Sequence, residues 1–251
     1  MDIDTPDDLK IGLPELDTSR PYISVIIPAL NEERNINAAI RSARDPDAEI
    51  LVIDGGSTDL TRVRANRGGA RVERARRGRA LQQNLGASKA RGNVFLFLHA
   101  DTCLPHGYVP HVFETLMDPS IILGAFQFKT DGDAPAMKVI EFVTNLRSRY
   151  FHLPYGDQAL FMRKSAFGSV GGFPEVALAE DLFLVRRSSG PGKIGIAPAK
   201  AVTSARRWQA VGPWRTTLIN QIILLGCLLR ISPATLARLY GTRKKSTDRG
   251  L

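Results

Sequence analysis

The apolar and polar positions of the chain predict an alternation of strands and helices in its first half. Short runs with the length and the β-branched or aromatic content of buried strands begin at residues 23, 50 and 95, with a shorter one at 70–73. Segments with helical spacing lie between them, at 31–43, from Asp59 onward and at 79–90. This order predicts a mostly parallel sheet with right-handed crossovers.

The second half of the chain has a less regular pattern. We expect helices and strands to follow in the order helix 110–117, strand 121–129, helix 136–151, strand 154–163 and helix 179–187. A polar turn separates the second and third of these, and the sharp Gly-Gly-Phe-Pro loop at 171–174 precedes the last. We expect this half to lie against the edge of the first sheet, within one α/β domain.

Polar groups follow three of the predicted strands at their carboxyl ends. Asn31 and Glu32 follow the first strand, Asp54 ends the second, and Asp101 ends the third in line with His99. Open α/β sheets bind ligands outside the carboxyl ends of their strands. We therefore expect a site for a charged, metal-bound ligand here, with the Asn31 side chain capping the helix that follows it.

The charge of the chain favours anionic partners. Its net charge is +9 and its pI is near 9.9, which suits nucleotides, nucleic acid or acidic lipid headgroups. Nucleic acid is disfavoured, because the sequence has no helix-turn-helix, zinc pattern or aromatic-basic platform. The two cysteines, Cys103 and Cys227, form no metal or redox pattern and indicate a reduced, cytoplasmic compartment.

An ordered set of motifs resembles the family-2 glycosyltransferases, which are inverting enzymes of the GT-A fold that use nucleotide sugars. The matching segments are 25–32, 52–59, Gly78 with 84–86, 98–101 and Glu180-Asp181. Three further segments, 99–102, 155–158 and 204–208, are similar to a bacterial subgroup, the selenodomain-associated transferases. The resemblance implies a GT-A-like α/β fold, with a mostly parallel sheet flanked by helices and a C-terminal helical segment.

The resemblance implies a domain plan. It consists of an N-terminal extension at 1–20, a GT-A-like domain at 21–210, and a C-terminal helical segment with a basic tail at 211–251. Within the domain, 21–105 would bind the nucleotide and 106–210 the acceptor. The first residues lack the apolar core of a signal peptide, and no run approaches the roughly 18 apolar residues of a transmembrane helix.

The resemblance also implies the residues that contact a nucleoside-diphosphate sugar, which we expect to be uridine-based. They are Pro28, Ala29, Asn31, Glu32, Asp54, Gly55, Ser57, Gly78, Arg79, Asn84, Ala100 and Asp101. Asp54 at a strand end could accept hydrogen bonds from the base or the ribose, and Arg79 near a helix start could hold the diphosphate. The alternatives are an ordinary Asx turn at Asp54 and a solvated basic helix face.

Asp101 is the best candidate for a ligand of Mg²⁺ or Mn²⁺, which would offset the charge that develops on the leaving diphosphate. Family members usually carry an acid at the position of His99. His99 is therefore open to three interpretations: a metal ligand, a phosphate contact or a packed residue.

The acidic pair Glu180-Asp181 matches the catalytic acids of the family. By resemblance Asp181 is the general base that removes the proton of the acceptor hydroxyl, and Glu180 orients the acceptor. The alternative is a pair of acids that complements a helix dipole. Further candidates for the acceptor pocket or the diphosphate are Asp157, Gln158, Arg206, Arg207 and Trp208, and for each of them a turn or packing role is open.

The leading interpretation is a glycosyltransferase that moves a sugar from a nucleoside diphosphate to an unknown acceptor with inversion. Two alternatives are a nucleotidyltransferase-like enzyme and a basic, non-enzymatic adaptor that binds a membrane surface or nucleic acid. The apolar helix predicted at 216–230, followed by basic residues, is typical either of a membrane-surface helix or of a core or homodimer helix. A lipid-linked acceptor would place the protein at the inner face of the membrane.

Overall fold

The computed structural model describes residues 22–176, 178–229, 231, 235 and 236. The predicted N-terminal extension and most of the predicted basic tail lie outside the described residues.

An eight-stranded sheet forms the centre of the described chain, in the order β3-β2-β1-β4-β7-β6-β8-β5. The strands are β1 Ile23–Ala29, β2 Ala48–Asp54, β3 Arg71–Arg74, β4 Val94–Phe97, β5 Thr102–Cys103, β6 Ile121–Thr130, β7 Leu160–Arg163 and β8 Lys193–Thr203. The helices are α1 Ile36–Ser42, α2 Thr61–Arg67, α3 Arg79–Lys89, α4 Tyr108–Met117, α5 Pro135–Phe151, α6 Lys164–Ser169, α7 Glu180–Ser188, α8 Arg206–Val211 and α9 Pro213–Leu228.

The first half is the parallel sheet that the sequence predicts. β1 pairs in parallel with β2 and β4, and β2 pairs in parallel with β3. Side chains alternate between two cores, so Val25 and Ile27 face the side of the sheet that carries α1 and α4, whereas Ile26 faces the other side. The expected α/β fold class is confirmed.

The second half lies against the edge of the first sheet, as expected, and it does so by adding further strands to that sheet. β7 pairs antiparallel with the free edge of β4, with Val94 opposite Arg163 and Phe97 opposite Leu160. β6 and β8 then extend the sheet and run parallel to each other. Pairing the edge of β4 satisfies backbone groups that an uncovered edge strand would leave open.

Two predicted strands are shorter than expected. β4 ends at Phe97, and the amide of Thr102 donates to the carbonyl of His99 in a turn before β5. The strand predicted at 154–163 begins only at Leu160, because Gly156–Gln158 form a turn of 3₁₀ helix and Ala159 adopts a left-handed conformation. β8, α6 and α8 were not predicted; β8 carries Gly195 and Pro198, which weaken a strand pattern.

The predicted C-terminal helix at 216–230 is observed as α9, which begins three residues earlier with Pro213 at its first position. Arg230 lies outside the described residues. Within the part of the chain that the structure describes, no helix is long and apolar enough to span a bilayer.

Gly86 sets the distance between α3 and the sheet. A Cβ atom at Gly86 would lie 2.4 Å from Cγ2 of Ile26 and 3.1 Å from Cγ1 of Ile53, both in the buried core. The absence of a side chain therefore allows the close approach of this helix to β1 and β2.

We expect Gly86→Ala to lower the free energy of unfolding by about 1–3 kcal/mol, because the methyl group overpacks a close-packed interior. Gly168→Ala is the matched control: it lies in α6 with nothing within 4 Å of a Cβ atom. Alanine should be neutral or stabilising there, since it favours helix. Chemical denaturation measures the free energy of unfolding of both variants. Equal values for the two would contradict the packing argument.

Candidate active site

The loops after β1 and β2 are tied together by hydrogen bonds. The amide of Asn31 donates to Oγ of Ser57 at 2.9 Å, and Oδ1 of Asn31 accepts from the amide of Thr58 at 2.9 Å. Asn31 has a left-handed backbone with φ of 55°, and α1 begins only at Ile36. The prediction that Asn31 caps its own helix was wrong, because its side chain is turned to the neighbouring loop.

Asp54 is the last residue of β2 and is buried. Its carboxylate accepts from the amides of Gly56 and Ser57, each at 3.1 Å, and Nε of Arg62 lies 3.8 Å away. This is the geometry of the Asx-turn alternative. The predicted contact of Asp54 with a base or ribose stays a prediction.

Gln82 is a structural residue of this site that sequence reasoning missed. Its Nε2 donates to the carbonyl of Ala29 at 3.0 Å and to that of Ile53 at 2.7 Å, so α3 bridges the ends of β1 and β2. A Cβ atom at Gly55 would lie 3.0 Å from this buried amide. The only signal in the sequence is a polar residue on the inward face of a helix.

Arg206 at the start of α8 connects two acids of the strand-end loops. Its Nη1 donates to Oε2 of Glu32 at 2.9 Å, and its Nη2 donates to Oδ2 of Asp101 at 3.0 Å. The amide of Ser204 also donates to the carbonyl of Asp101 at 2.9 Å. The segment that begins α8 therefore lies directly on the predicted metal ligand.

The predicted relation between His99 and Asp101 changes because the strand ends before them. They lie in the turn after β4 and do not share one face of an extended strand, so that prediction was wrong. Nε2 of His99 is buried and has no hydrogen-bond partner. Burial, with the charge of Arg79, lowers the pKa of His99 to about 4, so the imidazole is neutral at neutral pH.

A divalent cation fits this site only with help from a bound ligand. The described residues contain no group of three or more His, Cys, Asp or Glu that could hold a metal. Asp101 offers one carboxylate, and the unpartnered nitrogen of neutral His99 is a further donor. The remaining ligands would have to come from the diphosphate of a donor and from water, as is common for Mg²⁺.

Asp181 lies at the start of α7, and its carboxylate is held in place by two amides. Gly156 donates to Oδ2 at 2.7 Å and Leu182 donates to Oδ1 at 2.8 Å. A Cβ atom at Gly156 would lie 3.0 Å from Oδ2 of Asp181 and 2.7 Å from Nε2 of His99. The catalytic candidate and the turn after β4 thus converge on Gly156.

Glu180 faces inward, unlike an acid that merely complements a helix dipole. It is 4% exposed, and Nη1 of Arg79 donates to its Oε1 at 3.0 Å. Burial raises the pKa of Glu180, and the charge of Arg79 opposes that shift. The preceding Ala179 has a φ of 62°, a strained conformation of the kind that clusters at functional sites.

Asp157 and Gln158 have different environments in the turn before β7. Gln158 is fully buried; its Oε1 accepts from Ser148, and its Nε2 donates to the carbonyl of Phe126. This amide stabilises the turn from inside. Oδ1 of Asp157 is buried without a partner, and burial raises the pKa of Asp157 to about 7, against the opposing charge of Arg147.

Four other predicted residues have positions that bear on their roles. Asn84 exchanges two hydrogen bonds with the backbone of Phe173, at 2.8 and 3.0 Å, and so connects α3 to the loop before α7. Trp208 is buried against Phe128, with ring centroids 6.0 Å apart, which is a packing role. Arg207 is exposed, and Gly78 immediately precedes α3. Their predicted contacts with donor or acceptor stay predictions.

Residues 24–172 match the model of glycosyl transferase family 2. The chain belongs to this family. A glucosyl-3-phosphoglycerate synthase of Mycobacterium tuberculosis is 37% identical in an alignment of 111 positions that covers 38% of this chain and 34% of that protein. The glycosyltransferase AglE of Haloferax volcanii is 27% identical in an alignment of 192 positions that covers 68% of this chain and 62% of that protein. The chain thus spans about a third of the length of the synthase that it matches.

Solved structures of family members share the fold. S. aureus TarS in complex with UDP-GlcNAc has a TM-score of 0.57 and 21% identity, covering 72% of this chain and 58% of that one. The M. tuberculosis synthase in complex with Mn²⁺, UDP and glucosyl-3-phosphoglycerate has a TM-score of 0.52 and 22% identity, covering 76% of each chain. The GT-A-like fold is therefore confirmed, whereas membership of the selenodomain-associated subgroup stays a prediction.

The contacts of Arg206 predict a change in metal affinity. In Arg206→Gln, Asp101 and Glu32 lose their guanidinium partner, so Mn²⁺ should bind more tightly in the absence of nucleotide, by roughly twofold to fivefold, as expected for an exposed ion pair. Calorimetry or Mn²⁺ electron paramagnetic resonance measures this. Arg76→Gln, which removes an exposed charge before α3, is the control. An equal gain in Mn²⁺ affinity in this variant would show that the effect comes from the net charge alone.

The pKa of Asp157 predicts a pH-dependent stability. Because the folded state raises this pKa from 3.8 to about 7, the protonated form is favoured on folding. The contribution of Asp157 to the free energy of unfolding is fully present below pH 3.8 and is lost as the pH rises from there through about 7. Since one pKa unit corresponds to about 1.4 kcal/mol, Asp157→Asn should gain on the order of 2–4 kcal/mol at pH 8 and little at pH 4.

Urea unfolding at the two pH values measures this difference. The exposed Asp133→Asn, in the turn before α5, should change stability at neither pH. A gain for Asp157→Asn that is equal at both pH values would show that the amide improves packing and that the ionisation of Asp157 does not matter.

Proposed function

We propose that this protein is a glycosyltransferase that moves a sugar from a nucleoside-diphosphate donor, a UDP-sugar, to an acceptor hydroxyl with inversion and with the help of a divalent metal. The observation that carries the proposal is the meeting of three elements at one place. Asp181 from α7, His99 after β4 and the Gly156 turn before β7 converge, and Asp101 lies two residues beyond His99. The solved relatives support the donor class, since they are complexes with UDP, UDP-GlcNAc or UDP-glucose.

The donor nucleotide would bind over the loops after β1 and β2. The hydrogen bonds between Asn31, Ser57 and Thr58 hold these loops together at the carboxyl ends of the parallel strands. Backbone groups around Pro28 and Ala29 would approach a flat base closely, and Gln82 holds the ends of the two strands together beneath them. This is the position at which open α/β sheets bind nucleotides.

The diphosphate would lie near Asp101. A Mg²⁺ or Mn²⁺ ion held by Asp101, with His99 as a further donor, supplies electrostatic stabilisation of the leaving group when bound. Structures of the mycobacterial synthase contain Mn²⁺, which supports a divalent ion in general. Arg206 now neutralises Asp101 and Glu32, and on donor binding its guanidinium is placed to contact a phosphate oxygen.

Asp181 would act as the general base. Its carboxylate is oriented by the amides of Gly156 and Leu182, which leaves its other lone pairs free for the acceptor hydroxyl. Removal of the hydroxyl proton while the anomeric carbon is attacked from the face opposite the diphosphate gives inversion. Glu180 is buried and paired with Arg79, so we assign it the role of positioning Arg79 rather than the acceptor.

The acceptor is proposed to be carried on a lipid, with the protein at the inner face of the cytoplasmic membrane. No observation favours the alternative of a nucleotidyltransferase or a nucleic-acid adaptor. The mycobacterial synthase was solved with glucosyl-3-phosphoglycerate, which describes that protein.

We expect Asp181→Asn to lower turnover of UDP-glucose or UDP-GlcNAc about 10²- to 10⁴-fold, the usual contribution of a general base. The thermal shift with UDP and Mn²⁺ should stay as in the wild type, because donor contacts are unchanged. Glu175→Gln, an acid on the loop before α7, is the control and should leave turnover unchanged. If Asp181→Asn loses UDP affinity but reaches the wild-type rate at saturating donor, Asp181 is a binding residue and this mechanism fails.

A further inference from the structure

The exposed large apolar side chains of the described residues are concentrated on two helices. All but Leu60, Val63 and Met117 belong to α5, to α9 or to the two residues described just after α9. On α5 they are Val139, Phe142, Val143, Leu146, Tyr150 and Phe151, and on and after α9 they are Trp214, Leu218, Ile222, Leu225, Leu229 and Ile231. We call this set the α5/α9 face.

On each of the two helices the exposed apolar residues have helical spacing. The two helices also contact each other. On α5 the residues recur every three or four positions from Val139 to Tyr150, and on α9 every three or four from Trp214 to Leu229. The opposite side of α9 is also apolar, since Leu224 and Cys227 are buried against Leu182 of α7. α9 therefore carries apolar residues on two sides, interrupted by Arg215, Asn220 and Gln221. A helix with so much apolar surface is normally buried or in contact with a membrane.

The charge around this face is one-sided. α9 carries Arg215 and no Asp or Glu, and α5 carries Lys138, Arg147 and Arg149. On α5, the single acid, Glu141, accepts hydrogen bonds from the amide and hydroxyl of Thr130 and is thereby engaged by the sheet. The two helices therefore combine exposed apolar side chains with an excess of positive charge, which is the combination that binds anionic bilayer surfaces.

A second copy of the chain fits this face less well. In a symmetric dimer the same patch meets itself, so the basic residues at its edge, such as Lys138, Arg149 and Arg215, would face like charges. An anionic surface has the opposite charge over its whole area, and a bilayer can accept aromatic side chains such as Trp214 and Tyr150 at its interface.

We propose that the α5/α9 face docks the protein on an anionic phospholipid bilayer. α9 packs with its inner side on α7, where Nη1 of Arg186 donates to the carbonyl of Cys227 at 3.4 Å, and Asp181 is the second residue of α7. Leu153 and Tyr155, which precede the Gly156 turn, pack against the same cluster. The docked surface thus packs behind the residues that are proposed to bind the acceptor. This last step rests on the proposed function, and it implies that the acceptor has a hydrocarbon anchor.

The test compares two double variants in vesicle flotation. Phe142→Ser with Leu218→Ser removes one exposed side chain from each helix, and Val63→Ser with Met117→Ser is the matched control, since both residues are exposed outside the face. Vesicles contain phosphatidylcholine alone or with about a third of phosphatidylglycerol, the fraction that brings an anionic surface potential. We expect wild type and control to float with the anionic vesicles, and the face variant to bind at least about tenfold more weakly.

Three results would overturn the proposal. Wild type could fail to float with anionic vesicles at low salt, or the face variant could float as well as the control. Sedimentation could instead show a wild-type dimer that the face variant converts to a monomer without any vesicle binding, which would make the face an interface between two copies.

The thermal shift with UDP and Mn²⁺, measured without vesicles, separates this proposal from the proposed function. We expect both double variants to keep the wild-type shift, because none of the four residues lies among the donor contacts. If UDP and Mn²⁺ do not raise the melting temperature of the wild type, the glycosyltransferase proposal is wrong. The flotation result is then interpreted independently of it. A normal shift without flotation would remove only the membrane proposal.

Discussion

The antiparallel pairing of β7 with β4 determines where every other part of the candidate site lies. Because antiparallel strands place the end of one beside the start of the other, the turn that leaves β4 meets the turn that enters β7. His99 and Asp101 come from the first turn and Gly156 from the second. The amide of Gly156 in turn fixes the carboxylate of Asp181 at the start of α7. Without this pairing, His99 and Asp101 from the first half would not meet Gly156 and Asp181 from the second half.

Within the site, charges are balanced in pairs. Arg206 lies between Glu32 and Asp101, and Arg79 neutralises the buried Glu180. A buried carboxylate without a partner is costly, so each guanidinium stabilises an acid until an incoming phosphate or cation changes the balance. Asp181 is held by amides instead of a cation. A carboxylate without a bound cation can take up a proton from a hydroxyl more readily, which suits the role of a base.

The surface helices α5 and α9 differ from the core elements because they expose apolar side chains. α9 stabilises α7, the helix that carries Asp181, with one side and exposes apolar residues with the other, beside the exposed residues of α5. An isolated domain would not keep such a surface uncovered, because contiguous apolar patches of this kind mark interaction sites. The docking surface and the acceptor side of the site therefore share one structural element, the α7–α9 contact.

The amino-acid sequence by itself determined the parallel half of the sheet, the positions of most helices and the candidate residues at the strand ends. Those features depend on local periodicity and on short motifs, such as the run that ends at Asp54, and they appear in the structure within a few residues. It could not determine the pairing of β7 with β4, the roles of Gln82 and Arg206, or the exposure of α5. These depend on partners that are distant along the chain: Arg206 meets Glu32 across 174 positions, and no local pattern encodes that contact. Only the tertiary structure decides them, because it alone brings such partners within hydrogen-bonding distance.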